Sequence, residues 1–103
     1  MKESWLEKRE KIRGDIAESF SLKSGISVED FRSIFLGEVT TPPIIDFNTQ
    51  YLGDISILGE IFSALSERTG LEEKRIKSHY HREETFAQFA EHLLRAGAYE
   101  GGR

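Results

Sequence analysis

The sequence of 103 residues contains no cysteine, and this absence excludes several kinds of site. A chain without thiols forms neither disulfide bonds nor zinc–thiolate centres, and it has no cysteine nucleophile. No apolar run approaches the roughly 20 residues that a membrane-spanning helix needs. The first residues mix acids and bases and lack the apolar segment of a signal peptide. We therefore expect a cytoplasmic protein that does not bind a membrane.

A basic excess is also lacking, because 14 Lys and Arg residues stand against 18 Asp and Glu residues. Proteins that bind nucleic acid draw most of their non-specific affinity from a basic face that neutralises phosphates. The basic clusters in this chain, at residues 8–13, 74–77 and 79–82, lie among glutamates. These clusters are typical of solvated helix faces. We therefore expect no nucleic-acid partner.

The apolar residues recur at intervals of three and four, which predicts amphipathic helices. Four segments show this period, at residues 4–20, 27–37, 54–70 and 85–97, and residues 71–77 form a further short turn of helix. Ser27 and Thr85 are placed as N-caps, and either Asp54 or Ser56 caps the central helix. Gly70 is placed to end that helix. One core is expected, built from Ile12, Ile16, Phe31, Ile34, Phe62, Leu65, Phe89 and Leu93.

Between the first two helices and the central helix, residues 38–53 show no helical period. Pro42 and Pro43 disfavour helix there, since proline lacks an amide donor and restricts the residue before it. The sequence predicts a long irregular loop, with a short strand from Pro43 to Phe47 as the alternative. The predicted fold class is all-α, a small helical bundle. Residues 1–97 form a single helical domain and residues 98–103 a frayed tail.

No arrangement of residues indicates catalysis. The three histidines do not occur in a motif that would activate a hydroxyl nucleophile. His79 and His81, with Glu83 and Glu84, could cluster metal ligands, but their spacing matches no established zinc site. We therefore expect neither an enzyme nor a metal site.

One segment carries a more specific pattern. Residues 51–71 read YLGDISILGEIFSALSERTGL and resemble the acyl and peptidyl carrier protein family around its prosthetic-group site. That family typically shows Leu-Gly-x-Asp-Ser-Leu, then an apolar helix containing Glu, then Thr-Gly-Leu or Phe-Gly. Residues 85–93 are similar to the last helix of the family, and the resemblance extends over about residues 7–95.

The resemblance implies an acyl carrier protein fold and a carrier function. Ser56 would then be the attachment point of 4′-phosphopantetheine, with Asp54 beside it. The group would tether an acyl intermediate for fatty-acid or polyketide biosynthesis. The implied partners are acyl-transfer or condensing enzymes and a phosphopantetheinyl transferase, and the carrier would be a monomer or a weak homodimer. Such a carrier should expose Ser56 while Ile55 and Leu58 point toward the core.

Two alignments with the family pattern remain open. If Asp54 matches the family aspartate, the helix aligns without a gap, but Ile55 then occupies the serine position and cannot be modified. If Ser56 matches the family serine, the helix is one residue short and Ile55 replaces the aspartate. Two alternative functions therefore stand beside the carrier. One is a carrier-fold protein without a prosthetic group that acts as a binding or adaptor module, and the other is a small helical regulator that dimerises.

Overall fold

The computed structural model describes residues 4–100 and is all-helical, with no strand in that range. Six α-helices and one short 3₁₀ turn follow one another within residues 4–100. Their bounds are α1 Trp5–Ser24, α2 Val28–Phe35, α3 Ile44–Tyr51, the 3₁₀ turn Ile55–Ile57, α4 Leu58–Thr69, α5 Glu73–Ser78 and α6 Phe86–Arg95. No helix in the described part of the chain combines the length and the apolar character that crossing a membrane requires.

Helix α1 is the element against which the others assemble, since it contacts α2, α4 and α6. Ser4 begins it with a capping box, in which the Ser4 hydroxyl accepts from the Glu7 amide and the Glu7 carboxylate accepts from the Ser4 amide. The helix ends at Ser24, four residues beyond the predicted end. Gly25 follows in the left-handed conformation at φ 86°, which a glycine adopts without steric cost.

Helix α3 lies where the sequence predicted a long irregular loop or a short strand, so both predictions were wrong for residues 44–51. Pro43 stands before its first turn, where a missing intrahelical bond costs little. Ile44, Phe47 and Asn48 are buried at helical spacing. The amides of Ile44 and Ile45 donate to the carbonyls of residues 84 and 82, over 2.8 and 3.0 Å. The helix is therefore held by a distant loop rather than by local signals.

Seven of the eight predicted core residues are buried, and Ile34 is the exception. Its side chain is 40% exposed, whereas Phe31 and Phe35 of the same helix are buried. In a helix of only eight residues, positions 31 and 35 lie on one face, and position 34 lies at the margin of that face. The core centre is aromatic, with neighbouring ring centroids 4.9–5.8 Å apart among Phe20, Phe31, Phe35, Phe47 and Phe86.

The chain after α6 packs on the bundle, in contrast to the predicted frayed tail. Ala98 is fully buried. The Tyr99 amide donates to the Thr69 carbonyl over 2.8 Å, and the Tyr99 hydroxyl donates to the Asp15 carboxylate. Gly97, at φ 104°, turns the chain back toward α4 and makes these contacts possible. The remaining residues of the predicted tail, 101–103, lie outside the described residues.

Candidate functional site

A groove of about 840 Å³ lies between the start of α4, helix α5 and the segment that follows α5. Its apolar surface comes from Ile55, Leu58 and Phe62, which belong to the 3₁₀ turn and the first turns of α4. Its polar lining comes from α3, the 3₁₀ turn, α5 and the segment that follows α5, with the residues Asn48, Ser56, Glu73, Lys74, Lys77, Tyr80 and Arg82. The groove therefore combines an apolar floor with cationic side chains.

Of the two predicted site residues, Ser56 lines this groove, and Asp54 lies just before the 3₁₀ turn, outside the lining. Asp54 caps the 3₁₀ turn, and its Oδ1 accepts from the Ser56 amide over 3.0 Å. This backbone hydrogen bond, followed by one from the Ser56 hydroxyl, holds the pKa of Asp54 below its usual value. Ser56 itself is exposed, as expected for an attachment point. The carboxylate thus orders the turn that presents the Ser56 hydroxyl to solvent.

The neighbours of Ser56 do not both point as predicted. Leu58 is partly buried and packs against the core, in agreement with the expectation. Ile55 is 60% exposed, so its expected orientation toward the core was wrong. The reason is local, because residues 55–57 form a 3₁₀ turn with about three residues per turn instead of the first turn of an α-helix. The apolar stripe of α4 begins at Leu58, three residues later than the periodicity suggested.

Tyr80 closes the floor of the groove and links it to α3. Its hydroxyl donates to Asn48 Oδ1 over 2.9 Å, and its ring lies 5.1 Å from the Phe62 ring. Burial raises the pKa of Tyr80 strongly, and the hydrogen bond to Asn48 opposes this only in part. The phenol is therefore neutral and structural at ordinary pH. The sequence indicated neither residue, because α3 was not predicted.

The cations of the groove were visible in the sequence but were interpreted as a solvated face. Lys74 and Lys77 are three positions apart, so they lie on one side of α5, and Arg82 joins them from the next segment. The spacing of the two lysines alone could have indicated a basic edge beside the central helix. The spacing could not have shown that this basic edge lies near Ser56, because that proximity depends on how α5 packs against α4.

The three histidines lie close together, His79 and His81 in the segment that follows α5 and His92 in α6. The His92 ring lies 5.8 Å from the His79 ring and 6.1 Å from the His81 ring, and His92 Nε2 is 2.9 Å from Glu84 Oε1. Burial is the main cause that lowers the pKa of His79, followed by the neighbouring charges of His92 and Arg75. Within residues 4–100, no group of three or more His, Asp or Glu side chains is arranged to hold a metal ion.

No protein-family model matches this chain, and comparisons with curated proteins and with solved structures also give no match. The geometry of the chain itself therefore carries the information on its function. That geometry is an all-helical fold with an exposed serine at the end of a partly apolar, partly cationic groove.

Proposed function

We propose that this chain is an acyl-carrier-like protein that tethers an acyl intermediate through 4′-phosphopantetheine on Ser56. The observation that supports the proposal is the position of the Ser56 hydroxyl. It is exposed in the turn before α4, and it lies at the end of a groove with an apolar floor. A carrier needs both features, an accessible attachment atom and a neighbouring surface that can shelter an apolar chain.

The attachment step uses coenzyme A and a phosphopantetheinyl transferase. The Ser56 Oγ forms a bond to the phosphorus of the pantetheine phosphate, and the bond from that phosphorus to 3′,5′-adenosine diphosphate breaks. The hydroxyl proton passes to a base on the transferase, because the pKa of the neighbouring Asp54 carboxyl is lowered and its carboxylate is a weak base. Once attached, the group would supply a terminal thiol for thioester formation.

The residues around Ser56 fit such a group. Lys74, Lys77 and Arg82 line the same groove and would stabilise a phosphodiester by charge. Leu58 and Phe62 form the apolar floor of the groove and offer contact to an acyl chain. Enzymes that load or extend the acyl group would be the partners, and the chain itself would perform no catalysis.

The decisive experiment is intact-mass measurement after incubation with coenzyme A and a broad-specificity transferase. We expect a mass increase equal to one phosphopantetheinyl group. Ser56→Ala should abolish the increase, because no other hydroxyl shares this position, and should leave the helical circular-dichroism spectrum unchanged. Ser33→Ala is the matched control, since Ser33 is also exposed but belongs to α2 and does not line the groove. An unmodified parent protein with several transferases would contradict the proposal.

One observation favours a second candidate, a carrier-fold protein without a prosthetic group that acts as an adaptor. In the ungapped alignment Ile55 takes the serine position, and Ile55 is 60% exposed. An exposed branched side chain at that point suits a protein contact, since burying it on a partner removes apolar surface from water. The adaptor function predicts no mass increase, together with loss of partner binding in Ile55→Ser.

A further inference from the structure

We propose that the surface around the groove docks an acidic, amphipathic helix of a partner protein. This surface, the basic docking face, consists of Ile55, Phe62, Lys74, Lys77 and Arg82. The inference rests on the proposed function only in making the partner an enzyme that acts at Ser56. Its own basis is the distribution of charge. The chain as a whole carries a net charge of −4, whereas the groove is lined by three bases and one acid.

The cations of the basic docking face have no internal partner in the part of the chain that the structure describes. Among residues 4–100, the side chains of Lys74, Lys77 and Arg82 take part in no ion pair or hydrogen bond. Other basic side chains do find carboxylates inside the chain, and these are Lys8, Lys23, Arg32, Arg68 and Arg95. The contrast leaves the charge of the docking face available to a partner.

The local charge is positive although the chain is acidic. Of the residues that line the groove, Glu73 is the one acid, against three bases. Complementary potentials of this kind accelerate encounter and select the partner. A partner surface that fits must therefore carry carboxylates, and it must carry apolar side chains for the floor at Leu58 and Phe62.

The shape of the groove favours a protein helix over a small molecule. Small-molecule pockets typically enclose about 70–90% of the ligand surface. Here Ile55 at the rim keeps 60% of its own surface exposed, so the groove is open along one side. An open apolar groove with flanking charge is the form that binds an amphipathic helix through residues spaced three and four apart. Lys74 and Lys77, spaced by three on α5, match carboxylates spaced in the same way.

Anionic membranes and nucleic acids fit this face less well. Segments that bind acidic lipids usually cluster four to eight bases, whereas this face carries three, and Glu72 and Glu73 directly precede the lysines of α5. Nucleic acids need a basic stripe that neutralises several phosphates, and the net charge of the chain opposes this. An acidic protein surface needs only the few cations that are present.

The test uses two synthetic helical peptides of about four turns, with leucines along one face. In one peptide glutamates flank the leucines. In the other peptide lysines replace these glutamates, and the leucines are unchanged. Each is titrated into the isotope-labelled Ser56→Ala protein, so that no prosthetic group is involved. We expect the glutamate peptide, but not the lysine peptide, to change the amide chemical shifts of Ile55, Phe62 and α5. Its binding should weaken as salt is added.

Charge-reversed variants locate the contact. Lys74→Glu combined with Lys77→Glu should weaken binding of the glutamate peptide at least about tenfold. Arg75→Glu is the matched control, because Arg75 lies on the same helix and is also exposed but does not line the groove. It should change the affinity much less than Lys77→Glu does alone. Lys74→Gln and Lys77→Gln serve as milder variants if charge reversal disturbs α5.

Four outcomes would overturn the inference. In the first, the lysine peptide binds as tightly as the glutamate peptide, and in the second, the basic docking face shows no chemical-shift changes. In the third, dodecanoate below its micellar concentration causes those changes and the peptide does not. In the fourth, the protein self-associates and the lysine variants abolish this self-association. The last two outcomes would assign the groove to a small amphiphile or to a second copy of this chain. Failure of the proposed function has a separate signature, since Ser56 then stays unmodified while the peptide still binds.

Discussion

At the scale of single residues, the aromatic centre of the core carries the clearest stability prediction. The Phe86 ring lies 4.9 Å from both the Phe20 and Phe31 rings and 5.5 Å from the Phe47 ring. We expect Phe86→Ala to lower the free energy of unfolding by about 3–5 kcal/mol, because it leaves a cavity among rings that cannot collapse freely. Phe62→Ala should fall in the lower part of that range, since Phe62 borders the open groove.

Chemical denaturation of both variants beside the parent measures these losses. An equal or larger loss for Phe62→Ala would contradict the placement of Phe86 at the centre of the core. Because Phe62 also forms part of the floor of the groove, its variant provides a second readout in the peptide titration.

Tyr80 makes the free energy of unfolding fall as the pH rises into the alkaline range. Its pKa is raised in the folded chain, mainly by burial, whereas an unfolded tyrosine ionises near pH 10. Above about pH 10, the unfolded chain therefore binds fewer protons than the folded chain, and the free energy of unfolding falls as pH rises. Below that pH both states hold the proton, and this contribution to stability is fully present.

Urea unfolding at a series of pH values between about 8 and 11 tests this dependence. Tyr80→Phe loses the hydrogen bond to Asn48 at every pH, so its overall stability is lower. Its decline with rising pH should nevertheless be shallower than that of the parent. A parallel decline in the two proteins would show that Tyr80 is not the group responsible.

At the scale of elements, helix α6 shows how a local signal secures a core element. The Thr85 hydroxyl accepts from the Gln88 amide over 3.2 Å, and Gln88 Oε1 accepts from the Thr85 amide over 2.9 Å. We expect Thr85→Ala to cost about 0.5–2 kcal/mol of stability, because the first turn of α6 loses its cap. Thermal unfolding measures the loss.

Ser33→Ala is the control for the cap, since Ser33 is exposed within α2 and its side chain has no hydrogen bond among the described residues. Alanine suits a helix interior at least as well as serine, so this variant should keep the parent stability. If both variants melted with the parent, the predicted cap would contribute nothing to stability.

The elements that carry such local signals were predicted well. The capping residues Ser27 and Thr85 were both confirmed, and so was Gly70 as the end of the central helix. Helix α3 carries no comparable signal. Its N-cap position is Pro43, which makes no side-chain cap, and its apolar face spans only eight residues. Amides of its first turn instead find carbonyls some forty positions away, which no local pattern encodes.

At the scale of the whole molecule, the contacts after α6 tie the end of the chain to α1 and α4. Ala98 is fully buried, so Ala98→Gln should cost about 1–3 kcal/mol by overpacking. Glu100 forms an exposed ion pair with Lys8 over 3.0 Å, and Glu100→Gln should therefore cost less than about 1 kcal/mol. Unfolding midpoints of the two variants compare the losses. A frayed end would tolerate both changes equally.

Local sequence patterns were enough to predict that the chain folds into helices, and they identified seven residues of the core correctly. These properties follow from periodicity and from caps that act over three or four residues. The sequence also placed Asp54 beside Ser56, since the two are neighbours in one turn. The exposure of Ile34 and Ile55 and the helix at residues 44–51 became visible only in the tertiary structure. The same holds for the groove that Lys74, Lys77 and Arg82 share with Ser56. Such groupings arise from contacts between separate elements, whose packing no local spacing specifies.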